Sequence, residues 1–177
     1  MQLKAADCLN LFQMKLVCFI GLFFVHVAKA QIKVLANTAD QTGTVVKIID
    51  GDTFDLLTQE KNTIRVRMNG IDCPERKQDF YKVSKDALAG YIFQKEIRII
   101  VTGRDRNMRT LAIVFCNGEN INLAMIRNGY AWHYKKYFSD TAFANAEKKA
   151  RIDKKGLWKM NNPVPPWEFR KRKSPNI

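Results

Sequence analysis

In the stretch VVKIIDGDTFDL, residues 45–56, two carboxylates, Asp50 and Asp52, flank Gly51 inside an otherwise apolar, β-branched run. Asp-Gly between alternating apolar segments is a strong hairpin signal, because glycine accepts the positive φ that such turns need. The pair therefore reads as a turn or as a site, and the local sequence by itself favours the turn. Elsewhere the chemistry narrows by elimination. Past residue 30 only Cys73, Cys116 and His133 remain of their kinds, too few for the usual Cys/His zinc site and against a nuclease built on paired histidines. His133, on a polar segment, reads as a surface or hydrogen-bonded residue and takes no role.

The chain has 177 residues with 46% hydrophobic content, enough for one domain with a proper core. Its first 30 residues stand apart. Lys15 precedes an apolar run from Leu16 to Val27, and Ala28-Lys29-Ala30 suits cleavage before Gln31. The run is too short to span a bilayer, so residues 1–30 are expected to be a cleaved secretory signal, with Met14 a candidate start. Cleavage removes three of the 30 Lys and Arg and one of the 17 Asp and Glu, leaving 27 against 16. So basic a chain should attract polyanions, nucleic acid first and an anionic membrane surface second.

The elements that must position any site follow from periodicity. Gly43 to Asp50 and Thr53 to Leu57 read as strands about the Asp-Gly turn. TIRVRMNGI sends Ile64, Val66 and Met68 to one face and Arg65, Arg67 and Asn69 to the other. Asp79 to Lys95 spaces its apolar residues as an amphipathic helix, EIRIIVT and RTLAIVFC are further strands, and NINLAMIRNG is a short helix stopped by Gly129. A last helix from about Thr141 to Lys155 ends at Gly156, with Trp158 placed to pack back. The expected fold is α+β with a mainly β core: a five-stranded OB-type Greek-key barrel with three helices. The expected divisions are the signal at 1–30, an N-terminal arm at 31–42, the domain at 43–160 and a tail at 161–177. That proline-containing tail, with Arg170 to Lys173, reads as solvated, with Trp167 and Phe169 as its means of docking.

Three motifs line up along the strands: DGDT at 50–53, RVRMNGIDCPE at 65–75 and DRNMRTLA at 105–112. Their order and spacing, with INLAMIRNGYA and KKGLW beyond them, resemble the staphylococcal nuclease (thermonuclease) family from about Gly43 to Trp158. The resemblance implies that Asp52 and Asp72 are side-chain ligands of a calcium ion, with the main-chain carbonyl of Cys73 as a further ligand. Arg67 and Arg109 would then grip the scissile phosphate, and Glu75 would orient or deprotonate the attacking water. The chemistry is consistent: phosphodiester hydrolysis accumulates negative charge, which guanidinium forks and a divalent cation stabilise in the transition state, and a positioned carboxylate supplies the base. Tyr137, with Lys135, matches a nucleotide-stacking position, where ordinary aromatic packing is the competing reading.

The chain departs from the family pattern at Asn107-Met108, where Tyr-Gly is frequent before the matched arginine, and at Cys73, where threonine is familiar. The loop from Glu75 to the first helix is also short. In this fold the third and fifth strands are parallel neighbours, so a disulfide between Cys73 and Cys116 is expected, in keeping with an even pair in an exported protein. The expectation for the whole is an exported, periplasmic or secreted, calcium-dependent nuclease acting as a monomer on DNA and RNA with little sequence preference, leaving 3′-phosphate ends. No protein partner and no membrane insertion after signal cleavage are expected. The rivals are a non-catalytic OB-fold module that binds nucleic acid, and a cationic envelope-associated protein.

Overall fold

The computed structural model describes residues 40–173, with side chains to residue 172. The expected signal at 1–30, and the arm as far as residue 39, lie outside these residues. Strands β1 (Asp40–Ile48), β2 (Thr53–Thr58) and β3 (Thr63–Met68) form an antiparallel meander. After the two-residue β4 (Ile71–Asp72) and helix α1 (Tyr81–Ile92), β5 (Glu96–Arg104) returns antiparallel to β1, and β6 (Thr110–Cys116) lies antiparallel to β5. β6 then meets β3 in parallel, Val66 opposite Thr110 and Met68 opposite Ala112. That last pairing closes the expected five-stranded barrel and leaves β3 and β6 no open edge toward each other.

Alternation along the strands fills the interior. Val45, Phe54, Leu56, Val66, Met68, Ile99, Ala112 and Val114 are all but fully buried, and α1 adds Leu88 and Ile92 from one face. The short β7 (Glu119–Asn120) leads into α2 (Ile121–Arg127), whose N-cap Asn120 accepts the Leu123 N–H. One turn in, buried Asn122 accepts the Val114 N–H and donates to the carbonyls of Asn69 and Ala112. It thereby ties α2 to the place where β3 turns away from β6.

Beyond β8 (Trp132–His133), α3 (Thr141–Ile152) starts on Asp140, whose carboxylate accepts the N–H groups of Ala142 and Phe143. Gly129 and Gly156 end α2 and the α3 connection with positive φ, and each would place a Cβ 2.2 Å from the other segment's carbonyl. Only glycine fits there, which explains both helix stops.

A second cluster of Trp132, Ala150, Leu157 and Trp158 follows, the last two in the 3-10 turn Gly156–Lys159. Against this platform packs α4 (Pro166–Lys173), a helix in the stretch expected as solvated tail, and Trp167 docks it as the sequence offered. The correction has a local cause. Pro166 occupies the first helical turn, where it costs no hydrogen bond, and Trp167 stacks on Tyr134 at 5.3 Å and 6° while meeting Trp132 edge-on at 5.7 Å. The described residues thus hold four α-helices where three were expected. Among the described residues no helix is long and apolar enough to cross a membrane.

Candidate active site

Asp52 sits where β1 turns into β2. Asp50 Oδ1 accepts the Asp52 N–H, an Asx-type turn, and the Asp52 carbonyl accepts the Met68 N–H at 2.8 Å. Gly51 differs from expectation: its φ is not positive, and its value is room. A Cβ there would lie 2.2 Å from Ser84 Oγ and 2.9 Å from Cys73 Cβ. Ser84 is itself buried and donates to the Tyr130 carbonyl, so it cannot yield.

Strand register places Arg67 opposite Thr53, on the face away from Val66 and Met68, as alternation requires. Its Nη1 lies 2.8 Å from Asp52 Oδ2, and its Nη2 donates to Asp72 Oδ1 at 3.0 Å. Asp72 is held by the β4–β8 ribbon, opposite Trp132, and the Cys73 N–H donates to Asp52 Oδ2 at 2.9 Å. Three residues from three places therefore meet, all nearly inaccessible. Burial pushes the Asp52 carboxyl well above the usual carboxylate range; Arg67 opposes that shift, while Asp50 and Asp72 add to it. For Arg67 burial works against the charge, but Asp52 and Asp72 outweigh it.

The rim completes the arrangement. Thr53 Oγ1 donates to Asp52 Oδ1 and accepts from Arg109 Nη1 at 3.4 Å, so the two expected arginines converge on one aspartate. Arg109 is oriented by Asp105, which takes its Nε at 2.7 Å and its backbone N–H at 2.9 Å. The Arg109 side chain also walls an open depression of about 500 Å³ shared with Asp50, Asp55 and Arg65. Glu75 lies on the loop after β4, its N–H given to Gln78 Oε1. A third guanidinium joins the two carboxylates: Arg170 of α4 contacts both oxygens of Asp72 and Glu75 Oε1.

Lys135 and Tyr137 stand apart from this cluster. Lys135 pairs with buried Glu147 at 3.2 Å, and Tyr137 is 60% exposed, edge-on to Tyr134. His133 is buried, its Nε2 2.7 Å from the Phe138 carbonyl, so hydrogen-bonded packing accounts for it. The expected Cys73–Cys116 disulfide is corrected. Both are free, buried thiols. After Met68 the chain leaves β6 through Gly70, at φ +78°, into β4, and Cys73 Sγ ends 3.1 Å from the Gly51 carbonyl while β6 carries Cys116 on to β7. Thr53, Asp105, Gln78 and Arg170 are the site residues that sequence reasoning missed. Thr53 and Asp105 lie inside quoted motifs and could have been found there; nothing in the spacing of Gln78 or Arg170 signals the site.

Among the described residues no three His, Cys, Asp or Glu side chains cluster as a metal site. The oxygen donors that the site brings together are instead two buried carboxylates, Asp52 and Asp72. Burial, and next Asp52, hold the Cys73 thiol protonated, so no thiolate competes. Hard oxygen donors with shared negative charge suit a hard cation whose shell is completed by water and substrate.

The family model described as Staphylococcal nuclease homologue matches residues 65–160. The chain belongs to the staphylococcal nuclease family. Within that family it is 42% identical over 136 residues to a Haemophilus influenzae protein named uncharacterized endonuclease, covering 77% of this chain and 76% of that one. It is also 38% identical over 144 residues to the micrococcal nuclease of Shigella flexneri, covering 75% and 82%. A staphylococcal-like nuclease of Arabidopsis thaliana is 38% identical over 109 residues, 62% of this chain and 34% of the plant protein. Family membership and these relatives support nuclease activity, and the closed barrel is the OB-type fold that the motifs implied.

Proposed function

We propose that this protein is an exported calcium-dependent nuclease that hydrolyses phosphodiester bonds of DNA and RNA with little sequence specificity, leaving 3′-phosphate ends. The observation that carries the reading is the convergence of Arg67 and Arg109 on Asp52, directly or through Thr53, with Asp72 and Glu75 alongside. Asp52, Asp72 and the Cys73 carbonyl would hold the calcium, which when bound supplies electrostatic stabilisation of charge building on the phosphate oxygens.

The chain's own groups supply the rest. Arg67, anchored at both ends, keeps its guanidinium in place without reorganisation, and Arg109 presents a second fork from the rim. Donors fixed beforehand favour the more highly charged transition state over the substrate. Glu75, more exposed than the aspartates, takes the proton of the attacking water. Tyr137 offers an exposed ring on which a base stacks, and Lys135 a nearby cation.

The test incubates the protein with single- and double-stranded DNA in calcium or chelator, beside Asp52→Asn and Arg109→Ala. Cutting is expected only in wild type with calcium. A wild type that binds DNA in calcium but never cuts it would mark a non-catalytic OB-fold module instead.

A further inference from the structure

The expected chemistry has no task for Arg170, yet that residue reaches into its centre. Nη2 donates to Asp72 Oδ2 at 2.8 Å, and Nη1 to Asp72 Oδ1 at 3.2 Å and to Glu75 Oε1 at 2.6 Å. The delivery is built. Trp167 is stacked on Tyr134 and set against Trp132, which fixes α4 over the β4–β8 ribbon. Gln78 couples the two segments directly, accepting the Glu75 N–H and donating to the Val164 carbonyl at 2.6 Å.

Two physical points decide what such an arginine can do. A guanidinium fork laid across both oxygens of a carboxylate uses the edge that a divalent cation would use, and the two positive groups repel. Phosphate presents the same planar, paired acceptors that the fork requires. Of the three guanidinium groups at the site, Arg170 has the most exposed side chain, 41% against 29% for Arg109 and 12% for Arg67. It is the one with freedom to change partner.

We propose that Arg170 is a third substrate-binding arginine of this nuclease, which exchanges Asp72 and Glu75 for a backbone phosphate of the nucleic acid as a divalent cation takes the Asp72 carboxylate. The inference rests on the calcium reading above. The exchange makes and breaks no covalent bond: Asp72 trades one cation for another, and the freed guanidinium is neutralised by the phosphate.

Two measurements on the full chain, with Arg170→Ala and Arg170→Lys beside wild type, test it. Calcium binding is followed by calorimetry without nucleic acid, and KM and kcat for a short single-stranded oligonucleotide at saturating calcium. Removing the competitor should tighten calcium in Arg170→Ala while KM rises, each by about tenfold, the scale of one charge-assisted hydrogen bond. Arg170→Lys, a cation without the fork, should fall between. These opposite signs are the signature. Weaker calcium together with higher KM would make Arg170 a brace for Asp72 and Glu75, lower KM would make it a plug, and no change would make it a surface contact; each overturns the proposal. A wild type that binds no calcium would sink the calcium reading and this inference together, whereas calcium binding without the opposed shifts sinks the inference alone.

Discussion

The floor and the rim of the site hold their arginines by different means. Arg67, on the floor, bridges Asp52 and Asp72, which arrive from separate elements, and its side chain is 12% exposed. Arg109, on the rim, is oriented by Asp105 four residues earlier in the same turn and is 29% exposed. One is held by the tertiary fold, the other by local chain geometry. The difference separates chemistry from stability: the floor arginine is the cation shared by two buried carboxylates, while the rim arginine can leave without exposing an uncompensated charge.

Replacing each arginine tests that contrast most strongly. Arg67→Ala should lose roughly 3 kcal/mol of stability, as breaking a buried pair does, and about a thousandfold in rate. Arg109→Ala should lose about a hundredfold in rate while its unfolding free energy stays within about 0.5 kcal/mol. Thermal unfolding beside oligonucleotide hydrolysis reads both, and equal stability losses would erase the distinction.

Gly51→Ala probes the packing under the floor, where the new Cβ meets Ser84 Oγ at 2.2 Å and Cys73 Cβ at 2.9 Å. Overpacking there should cost about 2 kcal/mol, measured by denaturant unfolding. A neutral outcome would mean that the floor is more yielding than its contacts indicate.

On the rim, pH isolates the Asp105 anchor. Burial raises its pKa, but hydrogen bonds from the Arg109 backbone and side chain win, so the folded value lies below the ordinary one. A depressed carboxylate stabilises the fold above its unfolded pKa, about 3.9, and that contribution fades as pH falls through the folded value. The melting temperature of wild type should therefore exceed that of Asp105→Asn at pH 7, with the gap closing below about pH 4. A gap that is constant with pH would show that the pair does not orient the rim.

Met108 tests the same turn by its backbone. It is a non-glycine residue at φ 60°, largely exposed, where the family often has glycine. Met108→Gly should gain up to about 1 kcal/mol by relieving left-handed strain, with the Arg109-dependent rate little changed. A loss of stability would mean that the side chain holds the turn.

Period-two alternation in TIRVRMNGI was sufficient to put Arg67 on the polar side of β3, and glycine chemistry marked the helix ends at Gly129 and Gly156. Those features depend on neighbours a few residues away, and the three motifs carry the barrel order and the expected ligands with them. Gly51 was misread for the same reason. A local Asp-Gly signal speaks of φ, whereas its actual constraint comes from Ser84 and Cys73 across the fold. The cysteines were likewise judged by strand adjacency, before the turn at Gly70 sent Cys73 toward Gly51. Arg170 is the clearest case, bound to an aspartate 98 positions earlier. Its basic neighbourhood reads as solvated tail until Trp167 finds Tyr134 and Trp132. By itself the sequence determined the barrel, its helix stops and the order of its charged motifs, because periodicity and turn chemistry act over short range. Only the tertiary structure decided which charges share a carboxylate, because burying aromatic surface, not local pattern, brings α4 to the site.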